Sequence, residues 1–405
     1  MLPALAASGA ADGFGPVTLS FAVLRVTGSV SRLGLVLAAQ ATAALVLTLA
    51  GGLAADRYPR PRILICSLAG RTAAAALLAV TLFTGTASFP LLLAAAAGYG
   101  CADGFFGPAS TALVPDLVPR ERLAPTNALL GGTTSTAAVA APALAGLVVA
   151  AFGPGAGFAV QAALLAAAVG SLLTGVARGV RGRGAGDAGA GDAGAGDAGA
   201  ARNRGGLRVG WGEFVRIRWL WLLTGQWLVF SMLTLAPVTV LGPALAQRYL
   251  GGAAAWGVIS ASLALGAVGG QFGAGRMRPP ARPGLAIAVL MPVMTAEALA
   301  LGLGAPLPVV AAAAVVTGLA MGLQTVFFAT AMQASVRPGV LARVAAIDLL
   351  GSEGGQPVGY ALAGPAAATV GAHAFLTGSA VIMAVAGAAF AFLPALRAGP
   401  GEATG

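Results

Sequence analysis

Twelve apolar stretches alternate with short polar gaps along the 405 residues of this chain, at 2–25, 33–55, 63–84, 89–114, 127–151, 156–177, 219–245, 254–275, 284–303, 307–334, 344–370 and 373–396. A helix rising 1.5 Å per residue needs about 20 apolar residues to cross the hydrocarbon core. Each stretch is therefore predicted to be a transmembrane helix. The gaps differ in kind. Even-numbered gaps and the C-terminal tail hold 19 of the 23 arginines: Arg57, Arg60, Arg62, Arg120, Arg122, Arg178, Arg181, Arg183, Arg202, Arg204, Arg208, Arg216, Arg218, Arg276, Arg278, Arg282, Arg337, Arg343 and Arg397. Odd gaps hold only Arg25, Arg32 and Arg248, and Arg71 alone falls inside a span. Such a bias places the arginine-bearing gaps in the cytoplasm, and an even number of spans puts both termini there too. The odd gaps at 84–88, 152–155 and 304–306 are short and suit tight helical hairpins.

Composition narrows the picture. Mean hydropathy is +0.88 and only 9% of residues are charged, which excludes a soluble domain. A net charge of +10 in a soluble protein points to nucleic acid. Here the charge is spread over short loops on one side, so anionic lipid headgroups are the expected partner and nucleic acid is not. The chain has no Lys, hence no Walker lysine and no P-loop for ATP. One histidine and two cysteines, Cys66 and Cys101, leave no catalytic motif, metal cluster or disulfide framework. No enzyme activity, metal or cofactor is expected. The first apolar run has no preceding Lys or Arg, so it reads as a span rather than a cleaved signal.

The middle of the chain breaks the rhythm. Residues 178–209 are rich in Gly, Ala and Arg, and 186–200 repeat GDAGA three times. With no hydrophobic face, this segment is expected to be a flexible tether. Leu207, Trp211, Phe214 and Val215 then follow helical spacing, as in a short interfacial helix leading into span seven. The expected organisation is a six-helix bundle at 1–177, a linker with its short helix at 178–218, a second six-helix bundle at 219–397 and a tail at 398–405. The halves echo each other. Phe105-Phe106 matches Phe327-Phe328, A-L-A-G at 143–146 matches 361–364, and Gly51-Gly52 matches Gly269-Gly270, at offsets of 222, 218 and 218 residues. Near-equal offsets suggest a duplicated unit.

The gap after span two reads G-L-A-A-D-R-Y-P-R-P-R over 52–62. This resembles the loop 2–3 signature of the major facilitator superfamily, G-x-x-x-D-R-x-x-R-x-R. The segments D-G-F-F-G-P-A at 103–109 and V-P-D-L-V-P-R-E-R-L at 114–123 look like the branch with enterobactin-type siderophore exporters and macrolide exporters. The resemblance implies an all-α fold of two pseudo-symmetric six-helix bundles. It also implies a cytoplasmic latch of Gly52, Asp56, Arg57, Arg60, Arg62 and Asp116. In the family the latch aspartate meets the start of helix eleven, which here lies near Arg343. The second half keeps Arg276 but has no matching Asp, so the latch is expected to be one-sided. Span five carries A-P-A-L-A-G over 141–146, similar to the antiporter signature ending G-P-x-x-G-G, with Pro142 and Gly146 kept and two glycines replaced by alanine.

Ionisable groups at mid-bilayer cost about 2.5–3.5 kcal/mol each to insert and are functional candidates by default. Asp12 and Asp103 lie at the middle of spans one and four, which line the central cavity in this superfamily. One of them carries proton coupling, or both are packing groups; the sequence leaves both readings open. Arg71 can neutralise Asp103 or Asp116, or reach the surface. Glu297 reads as a packing partner and Asp348 as a complement to the start of span eleven. Glu353 lies deeper, where it can face the cavity, and His373 reads as a solvated loop residue. Phe105, Phe106, Gln226, Trp227, Phe230, Gln324, Phe327 and Phe328 are candidate walls of a mostly apolar pocket for an amphipathic ligand, with helix packing as the alternative for the Phe pairs. The expectation is a proton-coupled exporter of a drug, siderophore or metabolite in the bacterial inner membrane. Its partners would be the small molecule, protons and membrane lipids. The rival readings are an uptake permease or facilitator, an intramembrane enzyme and a non-transporting sensor.

Overall fold

The computed structural model describes residues 2–57, 60–107, 110, 123–183, 208–278, 280, 282–337 and 339–397. The described residues are helical throughout, without strands. The first six helices are α1 (Leu2–Thr27), α2 (Val30–Arg57), α3 (Arg60–Phe83), α4 (Phe89–Gly104), α5 (Leu123–Phe152) and α6 (Pro154–Arg183). A short helix at 208–216 precedes α7 (Arg218–Leu250), which contains two π-helical turns, Ser231–Leu235 and Ala246–Leu250. Then follow α8 (Ala253–Arg276), α9 in two parts (Pro283–Val293 and Ala296–Gly302), α10 (Leu307–Ser335), α11 in two parts (Leu341–Glu353 and Gly355–Val370) and α12 (Ala372–Phe390).

Ten stretches among the described residues are long and apolar enough to cross a bilayer. The other two expected crossings are α1, diluted by Asp12, Pro16 and three glycines, and α11, divided at Gly354. Some boundaries move from the sequence expectation. Helix α6 runs on to Arg183, six residues into the expected tether, and regular helix in α4 stops at Gly104 with Phe105 in a turn.

The arginine-poor gaps share one device. Every glycine with positive φ among the described residues lies in one of them: Gly28, Gly85, Gly153, Gly251, Gly252, Gly304 and Gly371, at φ between 61° and 103°. A left-handed residue closes a helix at its C-terminus and turns the chain in few residues, and only glycine does so without steric cost. Gly153 N–H, for instance, donates to the Val149 carbonyl at 2.9 Å. The expected tight hairpins at 84–88, 152–155 and 304–306 are each turned this way.

The chain divides into two compact units. The first holds spans one to six together with the hairpin tip Pro243–Ala261, and the second holds the rest of spans seven to twelve. In the first unit α1 packs on α5 and α6, α2 on α4, and α3 on α4 and α6. In the second, α7 packs on α11 and α9 on α10 and α12. Large apolar side chains such as Val80, Phe83, Leu147, Leu265, Ile382 and Val385 remain exposed on helix surfaces. A soluble monomer rarely tolerates so many; facing lipid tails they cost nothing.

Glycines let backbones meet where no side chain fits. A Cβ on Gly100 would lie 2.2 Å from the Gln40 carbonyl oxygen, and one on Gly104 2.7 Å from that of Ala44, so α4 touches α2 directly. In the second unit four glycines build the corresponding seam between α8 and α10. Gly266 and Gly270 press on Val315 and Leu319 at 2.1 and 2.2 Å, and Gly318 and Gly322 on Leu263 and Ala267 at 1.9 and 2.1 Å.

Candidate functional site

In the first unit α1, α3, α4 and α6 bring polar side chains to one place. Arg71, at the middle of α3, is fully buried. Its guanidinium pairs with Asp12 of α1 through Nη2 and with Asp103 of α4 through Nη1, the latter at 3.3 Å. Nη2 also donates to Tyr99 Oη at 2.8 Å, and Nη1 to Ser8 Oγ at 3.3 Å. The rings of Tyr99 and Phe106 lie 5.0 and 5.2 Å from the guanidinium carbon, within cation–π range. Gln161 of α6 extends the network by donating to Tyr99 Oη at 3.2 Å.

Burial divides this cluster into a hidden cation and open anions. The Arg71 side chain has no exposed surface, whereas those of Asp12 and Asp103 are 46% and 44% exposed. Both carboxylates line a cavity of about 260 Å³ with Gln40, Tyr99, Phe158 and Gln161. Formal charge in the cluster is minus one when both carboxylates are ionised. The small residues of α1 make the approach possible. A Cβ on Gly15 would meet Gln161 Nε2 at 2.9 Å, and one on Gly13 would meet Ala141 Cβ at 2.6 Å. The span-five motif is thus a packing surface. Pro142 and Gly146 also face Gly257, whose added Cβ would fall 2.8 Å from the Pro142 carbonyl oxygen.

The second unit holds its carboxylates differently. Thr224 Oγ1 donates to Asp348 Oδ1 at 2.5 Å, so Asp348 is bound to α7 two turns inside α11 instead of serving its first turn. Glu353, at the division of α11, accepts from Gln356 Nε2 at 2.7 Å and lies within hydrogen-bonding reach of the Trp227 indole. Tyr360 Oη donates to Gln356 Oε1 at 3.4 Å. The site backbones are close because Gly355 and Gly359 press on the carbonyl oxygens of Leu228 and Met232, at 2.3 and 2.4 Å for an added Cβ.

The other candidates scatter. Phe230 is 1% exposed and packs with Met291, Met294 and Met383, while touching the Trp227 ring at 5.4 Å. Phe327 belongs to an apolar cluster with Trp219 and Val344, and Phe328 meets Trp219 edge-on at 6.1 Å. All three make packing contacts, and Phe327 also lines a small cavity of about 130 Å³ with Ala274, Val326 and Ala331. Gln226 and Gln324 are buried, and both amide atoms of Gln226 lack a hydrogen-bond partner. Phe105 turns away from Phe106 to line a cleft of about 640 Å³ between α3 and α4 with Arg62, Cys66 and Cys101. Cys66 is exposed there and Cys101 half-buried. His373 is not a solvated loop residue: it opens α12, and its Nδ1 lies 3.1 Å from the Leu301 carbonyl oxygen at the end of α9. Glu297 is buried, its backbone N–H donating to Thr317 Oγ1 at 3.0 Å. Of the latch, the backbones of Gly52, Asp56, Arg57 and Arg60 are helical; their side chains, and all of Asp116, lie outside the described residues.

Sequence reasoning missed Tyr99 and Gln161. Tyr99 lies four residues before Asp103 on one helix face, and Gln161 is a lone amide in an apolar span; both signals were present.

A helical protein that crosses the bilayer many times, with charged groups gathered inside one unit around a cavity, has the architecture of a secondary transporter. Residues 1–347 match the family model for the Major Facilitator Superfamily, and the chain belongs to that family. No curated protein matches the chain. Solved structures show the same fold. A bacterial homolog of the human lysosomal transporter Spinster, inward-facing and unoccupied, aligns at TM-score 0.67 and 17% identity over 98% of this chain and 96% of that one. A bacterial homologue of the iron transporter ferroportin, inward-facing, aligns at TM-score 0.70 and 16% identity over 97% and 98%. A POT family transporter in complex with 5-aminolevulinic acid aligns at TM-score 0.71 and 11% identity over 96% and 94%. The protein is a multi-pass membrane transporter of small molecules and not an enzyme.

Proposed function

We propose that this transporter exports an amphipathic small molecule from the bacterial cytoplasm in exchange for protons, by alternating access, with both termini cytoplasmic. One observation supports the reading above the others: two half-exposed carboxylates on a cavity wall share one buried guanidinium. Arg71 balances one negative charge and leaves the second to a mobile partner. A proton can take that place, and so can a cationic group on a ligand. Either releases one arm of the guanidinium and loosens the tie between α1, α3 and α4. Occupancy of the site and helix packing are thereby coupled through the same side chain. The aromatic faces of Tyr99 and Phe158 beside the carboxylates suit the apolar body of an amphipathic ligand.

Export is favoured by the A-P-A-L-A-G segment of α5 and its close packing. One proton moving down 100 mV supplies about 2.3 kcal/mol, enough to sustain a gradient on the order of tens-fold. Asp56 and the loop arginines are assigned to the latch that closes the cytoplasmic side. Inside-out vesicles test the reading. An exporter accumulates its substrate in the lumen when the lumen is acidified, and a proton-coupled uptake permease empties it. Asp103→Asn should abolish the pH dependence of exchange. Coupling that survives this change and Asp12→Asn would refute the assignment.

A further inference from the structure

We propose that the outer face of the 208–216 helix binds the headgroup layer of anionic phospholipids. This inference does not depend on the direction of transport or the substrate; it requires only that α7 crosses the bilayer.

The inner face of this helix is fastened. Phe214 is 6% exposed within the cluster of Ile217, Trp219, Val336 and Val344. A Cβ on Gly210 would lie 2.9 Å from Arg343 Cβ. Glu213 accepts from Arg216 Nη2 and Arg337 Nη2, each at 2.9 Å. The outer face is therefore held in one orientation. It presents Arg208, Trp211 and Val215 along a single stripe, with Trp211 and Val215 at 58% and 47% exposure. Trp211 is braced by stacking on Phe214 at 5.9 Å.

Chemistry and position choose the occupant. Arg208, Arg216 and Arg218 are exposed around the stripe, and the one carboxylate of the segment, Glu213, is buried and already engaged by two guanidiniums. The face is thus apolar at its centre and cationic at its edges. Arg218 is the first residue of α7, so the helix lies where a spanning segment leaves the hydrocarbon. Trp at that depth and Arg against phosphate are the groups an interface selects. The Asp-bearing repeats at 186–200 offer a rival anion within the chain.

Lipid nanodiscs decide between them. The difference in tryptophan emission between the native protein and Trp211→Phe isolates the Trp211 signal. Bromine-labelled phosphatidylglycerol should quench it about fivefold more effectively than equally labelled phosphatidylcholine, the factor expected for roughly one guanidinium–lipid attraction. Joint Arg208→Gln and Arg218→Gln replacement should bring the two lipids to parity, and joint replacement by Lys should keep the preference. Equal quenching by both lipids in the native protein would overturn the proposal. So would no quenching by either, which would assign the face to the acidic repeats or to another protein.

Discussion

Asp12 and Asp103 in the first unit close on one guanidinium, whereas Asp348 and Glu353 in the second meet neutral donors, Thr224 for one and Gln356 and Trp227 for the other. The offset of 218 residues makes this difference specific. It carries Asp12 onto Phe230, Asp103 onto Met321, Tyr99 onto Thr317 and Arg71 onto Val289. Phe230 and Met321 lie together in one apolar cluster, as their counterparts lie together on Arg71. The same offset carries Gly100 and Gly104 onto Gly318 and Gly322, and both pairs press on a neighbouring helix backbone. The duplicated scaffold kept its glycine seams and diverged at the positions between them. One unit received a charged cluster, the other aromatic and thioether packing. The chemistry is therefore expected to reside in the first unit and rigidity in the second.

The seams give the largest expected effect. Gly270→Val places its Cβ 2.2 Å from the Leu319 carbonyl oxygen, where neither backbone can yield. Overpacking costs typically about 1–3 kcal/mol and more against rigid backbone. Size-exclusion chromatography should show no folded monomer. Gly269→Val, one residue away with nothing within 4 Å of its Cβ, should behave as the native protein. A folded Gly270→Val variant would show that the two-unit scaffold does not depend on these seams.

The equivalent positions separate stability from coupling. Phe230→Ala opens a void among Met291, Met294 and Met383 and should lower stability by about 3–5 kcal/mol, seen as a lower melting temperature. The pH profile of the remaining transport should not move. Arg71→Gln should do the reverse in kind. It leaves two carboxylates without their shared cation, and transport should fall by roughly a hundredfold, the factor corresponding to about 3 kcal/mol. Reconstituted exchange at several pH values distinguishes the two. A pH shift in Phe230→Ala, or its absence in Arg71→Gln, would break the assignment of chemistry to one unit.

The sequence carried the fold in its apolar runs because burial in lipid constrains every residue of a span. It also carried the site's charges, since Asp12, Arg71 and Asp103 interrupt those runs. The Arg71–Asp103 pair is among the readings the sequence leaves open, whereas the pairing of Arg71 with Asp12 is not legible. Arg71 meets Asp12 across 59 residues, and the helix rotation that allows this is set by packing that no local pattern records. Glycine spacing marks close packing without fixing equivalence: Gly100 and Gly104 share their spacing with Gly266 and Gly270, yet the offset carries them onto Gly318 and Gly322, because either helix of a seam can supply the small residues. By sequence Phe230 reads as a pocket wall and Phe327 as a wall or a packing group; both lie almost wholly buried among apolar side chains, a packing that periodicity alone does not record.

The smallest expected effect lies at the edge of the second unit, where a carboxylate does meet guanidiniums. Hydrogen bonding from Arg216, with a further bond from Arg337, holds the Glu213 pKa below its ordinary value of 4.5, against the opposing effect of burial. A depressed carboxylate pKa stabilises the folded form above the unfolded value and loses that contribution as pH falls through the folded one. The clamp on the 208–216 helix should therefore be fully formed from neutral pH down to the ordinary glutamate range and should open only in more acid solution. Hydrogen exchange of the 208–216 amides should be independent of pH-driven opening between about pH 5 and 8, after correction for intrinsic rates. Glu213→Gln should raise it several-fold at every pH in that window while leaving exchange in α8 and α10 unchanged. If the native clamp instead opened within the window, this carboxylate would be behaving like a titrating site, and the division between a chemical first unit and a structural second one would fail at its rim.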